Sequence, residues 1–201
     1  MRLILSYAKL GPMAFIAHLD FQQLWWRIFR LAGITLQLTQ GYNPRPKMRF
    51  ASPLATGFQG ERELLEVFLG EGEQNVVGRL NSIMPQGLKV LTATEVPLAF
   101  PKVTALVDAL AYRVKLPHSL DSLECIAREA GDYLLSAQLE GKELNLLLKV
   151  ENQRTIRPDI LAGACFPGFD KAGFPIIRTG IYAYKTEKTS PVPAGLFLLL
   201  D

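Results

Sequence analysis

Apolar and polar residues alternate from Arg2 to Ala8, with Leu3, Leu5 and Tyr7 set against Arg2, Ile4 and Ser6, and this period of two predicts a strand. Gly11-Pro12 ends it. Asp20 is then a good helix N-cap, and Gln23 completes a capping box three residues later. Leu24, Ile28, Leu31 and Ala32 follow at helical spacing and Gly33 supplies a stop, so the pattern predicts a helix over Asp20–Ala32. Alternation predicts strands at Ile34–Leu38, Lys47–Ser52 and Leu64–Leu69. Asn75 can cap a helix over Val76–Ile83 that Pro85 and Gly87 terminate, and Leu88–Glu95 reads as a further strand. Omitting one of the two weaker middle strands leaves βαββαβ. That order predicts an α+β fold whose first unit is ferredoxin-like, with both helices on one face of the sheet.

Pro97–Pro101 reads as a linker between a domain over 1–97 and a second over 102–201. The second half predicts a strand at Leu110–Leu116 and a helix capped by Ser119 or Asp121 that runs to Ala137. Strands follow at Leu144–Val150, Ile176–Tyr184 and Leu196–Leu200, with a Gly/Pro-rich stretch over Gly163–Pro175. This is a second, degenerate α/β unit. No direct sequence repeat links it to the first.

Composition narrows the class. A hydrophobic share of 49% is enough for a buried core, which excludes wholesale disorder. No apolar run approaches the length of a membrane span. Lys9 interrupts the apolar start too early for a signal peptide, so a cytoplasmic protein with no membrane contact is expected. Cys125 and Cys165 read as small buried hydrophobes rather than a disulfide. With only His18 and His118 beside them, no zinc or iron–sulfur spacing can be assembled, so no metal or cofactor is expected.

Charge changes the picture more than composition does. The first fifty residues hold seven Lys or Arg against one acid, Asp20, whereas the remaining 151 hold fifteen against eighteen. Such asymmetry suits an anionic partner at one end of the molecule. The densest part is Gly41-Tyr42-Asn43-Pro44-Arg45-Pro46-Lys47. Two prolines stiffen the backbone around Arg45, and Asn43 favours a turn. Arg45, Lys47 and Arg49 fall at alternate positions and project one way, as spaced phosphates require, while Tyr42 can stack on a base. Arg27 and Arg30 add a cationic helix face opposite Leu24 and Ile28. Trp26 either stacks beside Arg30 or covers the edge of a core.

His18 precedes the capped helix, where the dipole favours the neutral imidazole. It is either a general base or a partner for a backbone group. No P-loop or GxGxxG motif occurs, and Glu61, Glu63 and Glu66 read as a solvated rim. Arg157-Pro158-Asp159 reads as a strand-to-helix turn, and Arg157 and Arg178 are candidates to line a cleft facing the basic turn.

The chain resembles the radical SAM-linked proteins, a bacterial domain of unknown function that stands alone or at the C-terminus of a radical SAM protein. The resemblance is carried by Phe15-Ile16-Ala17-His18-Leu19-Asp20, by Arg27 and Arg30, by the Gly41–Lys47 turn, and by Phe50-Ala51-Ser52-Pro53-Leu54 with Gly57. It is weaker at Arg157-Pro158-Asp159 and Arg178-Thr179-Gly180-Ile181-Tyr182. The chain departs from the family at Gly60 and at Glu63-Leu64-Leu65-Glu66, and it is short between Glu140 and Arg154. The resemblance implies a radical SAM enzyme as partner, with RNA as a substrate of the pair.

The leading expectation is therefore a non-catalytic RNA-binding accessory module, for tRNA or rRNA, working with a radical SAM enzyme. Its contacts would be Arg27, Arg30, Tyr42, Asn43, Arg45, Lys47, Arg49, Arg157 and Arg178. Two alternatives stand beside it. One is a protein-only adaptor docking on the radical SAM enzyme; the other is a metal-independent endoribonuclease with His18 as general base.

Overall fold

The computed structural model describes residues 1–118 and 122–184, together with the backbone of 198–200. The first half comprises β1 (Arg2–Lys9), α1 (His18–Leu31), β2 (Met48–Phe50), β3 (Gln59–Phe68), α2 (Val76–Asn81) and β4 (Leu88–Glu95). The second comprises β5 (Ala109–Lys115), α3 (Glu124–Ala130), β6 (Leu134–Glu140), β7 (Glu143–Lys149), α4 (Pro158–Cys165), β8 (Ile176–Tyr184) and β9 (Leu198–Leu200).

These strands form one mixed sheet in the order β4-β1-β3-β8-β5-β7-β6, with β2 on β3 and β9 on β8. Each half repeats one topology. The first half places β4, β1, β3 and β2 side by side, all antiparallel. The second places β8, β5, β7 and β6 in the corresponding order, also antiparallel. The halves meet at a short parallel contact, Gln59 with Ile177 and Gly60 with Arg178. Beyond it β3 and β8 separate; β2 follows β3 at Val67–Leu65 and β9 follows β8 at Tyr182–Tyr184.

Strand parity divides the core. Leu3, Leu5 and Tyr7 of β1 pack with Leu65 and Val67 of β3 beneath Phe21, Trp25, Ile28 and Phe29 of α1 and Val76 and Leu80 of α2. Ile4 and Leu64 point the other way and join a second cluster with Val103, Leu106, Leu110, Leu144, Ile126 and Leu161. Because β1 is covered on both faces, every one of its residues is buried, including Arg2, Ser6 and Lys9.

Several expected elements take different form. α1 starts at His18, with Ala17 in the cap position and no side-chain cap, so Asp20 lies inside the first turn, where its charge suits the helix dipole. Ile34–Leu38 makes only isolated bridges, Leu36 to Leu69 and Leu38 to Pro46, because Pro44 and Pro46 leave few donors for a ladder. The helix expected to reach Ala137 stops at Ala130, and Leu134–Glu140 instead pairs with β7. Ser119 and Asp121, its expected caps, lie outside the described residues. Cys125 and Cys165 form a disulfide with their Cα atoms 5.7 Å apart. α3 and α4 pack side by side and so bring together two thiols expected to stay apart. No helix among the described residues is long and apolar enough to cross a membrane.

Candidate functional site

The seam between the halves holds a buried polar cluster. Arg178 of β8 and Glu63 of β3 are each 1% exposed. Arg178 Nε donates to Glu63 Oε1 at 2.7 Å, and Nη2 donates to Glu63 Oε2. The same guanidinium donates to Ser52 Oγ at 3.2 Å and to the Ser52 carbonyl at 2.8 Å. Burial works against its charge, and the Glu63 carboxylate more than offsets this, holding the guanidinium pKa above its ordinary value. Gly60 makes the arrangement possible: a Cβ there would stand 2.5 Å from Glu63 Cγ and Oε1.

Tyr112, Tyr7 and Lys9 complete the cluster. Burial raises the Tyr112 phenol above its usual pKa, an effect the nearby Arg178 opposes and Asp159 of α4 adds to. Burial raises Tyr7 further, reinforced by Glu63. Lys9 donates from Nζ to the Ile16 carbonyl at 3.2 Å and sits 4.5 Å from the centre of the Phe21 ring. Desolvation lowers its pKa. Glu63, expected on a solvated rim, is therefore buried. So is Glu66, which pairs with Arg2 and, at 2.5 Å, with Arg49. Among the described residues no three His, Cys, Asp or Glu side chains are grouped as a metal ion requires.

His18 flanks this cluster. Its ring meets Phe50 edge-on at 5.3 Å, and the Gln22 amide nitrogen lies 2.9 Å from Nε2. With that amide as donor, Nε2 carries no proton and the imidazole is neutral. Burial, then the charge of Lys9, lowers the His18 pKa from its usual 6.5. The unfolded chain therefore binds a proton that the folded chain resists, and stability falls as pH drops below about 6.5 through the lowered folded value. Above that window His18 contributes no slope. Urea midpoints for the parent and His18→Gln should diverge in pH dependence between about pH 7 and pH 5, with the variant flatter. Identical slopes would remove this assignment.

The expected anion-binding residues divide into separate groups. The turn stands clear of the fold. Its base is closed by Thr39 N to Arg45 O at 2.7 Å, Arg45 N to Thr39 Oγ1 at 3.0 Å and Lys47 N to Gln37 O at 2.7 Å. At its tip Tyr42 is 100% exposed. Asn43 and Arg45 are exposed and Lys47 half-buried, and neither cationic side chain has a partner among the described residues.

Arg49 is not part of that free set, because Glu66 holds it. Arg178 is not on the surface at all: its cross-strand position opposite Gly60 turns it inward onto Glu63. Arg157 stands at the N-cap position of α4 and binds Asp159, with contacts of 3.0 and 2.5 Å, which raises its pKa. Arg27 and Arg30 are exposed on α1 without partners among the described residues. They do not extend the line of Lys47 and Arg49. Met48 and Phe50 pack on the α1 side of the sheet, so by parity Lys47 and Arg49 project from the other side.

Composition hides Lys9, Tyr7, Ser52, Glu63 and Tyr112 from a search for charged motifs. The one local signal is a lysine ending an apolar strand, with a glycine three residues before the acid that folds back over it. The cluster joins the two halves, since Ser52 from the first meets Arg178 from the second.

A bacterial family model matches residues 2–158, well over half of the chain. The chain belongs to the family described as uncharacterized protein conserved in bacteria (DUF2344). No curated protein matches it. The matched span of this DUF2344 chain takes in β1, α1, the basic turn and Glu63, and ends at Pro158, the first residue of α4. Arg178, which closes the seam, lies beyond it.

Proposed function

We propose that the protein is an RNA-binding accessory module, for tRNA or rRNA, that works with a radical SAM enzyme. The observation that carries the RNA reading is the 39–47 turn, with a fully exposed Tyr42 beside an uncommitted Arg45 on a backbone pinned at its base. A tyrosine with no intramolecular contact surface has its whole ring available for stacking, worth about 1–3 kcal/mol per base. Prolines on both sides of Arg45 reduce the entropy lost when the loop engages a ligand. Lys47 supplies a second phosphate contact.

Filter binding to unfractionated tRNA should weaken with salt. Tyr42→Ala should cost about tenfold in affinity, the lower end of the stacking range. Arg45→Ala with Lys47→Ala should reduce the salt slope by about 1.4, at 0.7 per phosphate contact on single strands. Unchanged affinity and slope in these variants would reject the turn as the RNA contact.

The radical SAM part of the reading rests on the resemblance carried by the His18, Gly41–Lys47 and Phe50–Leu54 segments. The paired antiparallel units, each with two helices on one face, support a ferredoxin-like reading of residues 1–97. The endoribonuclease alternative has a neutral imidazole in its favour. Among the described residues, however, Gln22 is the polar side chain that meets His18, and it offers neither a nucleophile nor a second proton carrier.

A further inference from the structure

We propose that the outward face of α1 docks an acidic, apolar segment of a protein partner, separately from the RNA-binding turn. Leu19, Gln23, Trp26 and Arg30 recur at i, i+4, i+7 and i+11 and form one stripe, with Arg27 beside it. Leu19 is 70% exposed and Trp26 47%, and Phe15, in the short turn before the helix, is 66% exposed. The inward face already buries Phe21, Trp25, Ile28 and Phe29, so Leu19 and Trp26 are large apolar side chains left on the opposite side. A surface helix with a single buried face needs no such outer stripe.

The chemistry of the stripe selects its occupant. Arg27 and Arg30 have no ion-pair partner among the described residues, and Asp20 is the one acid in the helix. Complementarity therefore calls for carboxylates opposite them. Trp and Arg set among apolar groups match the residues that dominate protein interfaces. RNA fits less well: Trp26 could stack on a base, but Leu19 and Phe15 find no apolar counterpart on a phosphate backbone. A second copy of this chain, docked through the same face, would set Arg27 and Arg30 against themselves. On the accessory reading above, on which the partner's identity rests, that partner is the radical SAM enzyme.

The test places a photo-cross-linking amino acid at Leu19 of the full chain in its bacterial host. One nuclease-resistant protein cross-link is expected, mapping to a segment rich in Asp or Glu and apolar residues. Arg27→Glu with Arg30→Glu should reduce it at least tenfold while leaving the melting temperature unchanged. Replacing the mapped partner acids by lysine should restore it. A cross-link to RNA or to a second copy of the chain, no cross-link, or one insensitive to charge reversal would each overturn the proposal. A mapped partner that is not a radical SAM protein would leave the docking surface standing and remove the accessory reading.

Discussion

Glu63→Ala should destabilise the protein by about 3–5 kcal/mol, the cost of leaving a buried guanidinium without its counter-ion. Arg178 cannot escape by losing its proton, and at about 1% exposure it cannot reach solvent without opening the seam. For a chain of this length the loss corresponds to a fall in melting temperature of roughly 10 °C. Arg178→Met strands the Glu63 carboxylate instead, but that group can take up a proton, so the variant should lose less at acid pH than at neutral pH.

The double variant, Glu63→Leu with Arg178→Met, should be more stable than either single variant, because an apolar pair of similar volume needs no compensation. The two sites are coupled through direct contact, so their effects should be far from additive. Gly60→Ala probes the same geometry from the backbone, since its methyl would displace the Glu63 side chain. Denaturant unfolding measures all four variants. A cost below about 1 kcal/mol for Glu63→Ala, typical of an exposed pair, would show that the seam does not bury this interaction.

How much of this was legible beforehand follows from what each residue depends on. β4 and β8 agree with their alternation to the residue, because each signal is local and uninterrupted. Leu134–Ala137 reads as helix by propensity, yet it pairs with Leu146–Leu148 across a tight turn at Gly141; tertiary pairing overrides propensity there. The common topology of the two halves is invisible in the residues, since a shared strand order demands only similar burial patterns. The basic turn was legible because proline stiffness and charge are properties of adjacent residues.

The seam cluster was not legible. Glu63 and Arg178 lie 115 positions apart, and their residue types do not distinguish them from the half-buried Glu61 and the exposed Arg62 nearby. That Arg27 and Arg30 lie on the other side of the sheet from Lys47 was hidden for a related reason: periodicity tells which side chains share a face of one element, not which side of the sheet that element covers.

The same dependence on distant partners governs Arg2, whose replacement by methionine should cost about as much as Glu63→Ala, roughly 3–5 kcal/mol. Arg2 is 3% exposed and binds Glu66, which is fully buried. It also donates to the carbonyls of Pro97, Leu98, Phe100 and Pro101 at 2.5–3.2 Å. Residues 97–101 contain two prolines and belong to no strand or helix, so this guanidinium supplies donors that the segment's own backbone lacks. Arg2→Met removes the donors and leaves Glu66 facing Arg49 alone, an arginine whose side chain is 38% exposed. Two effects should appear together: a lower unfolding midpoint, and faster cleavage of the native chain by chymotrypsin after Leu98. Arg2→Lys, a compact charge without the planar fork, should neutralise Glu66 yet fail to hold the carbonyls, separating stability from protease sensitivity. Arg49→Ala should cost about 1 kcal/mol or less, as solvent already screens that partner. Equal losses in Arg2→Met and Arg49→Ala, or a 97–101 segment equally resistant in all variants, would show that Arg2 does not anchor the connection between the halves.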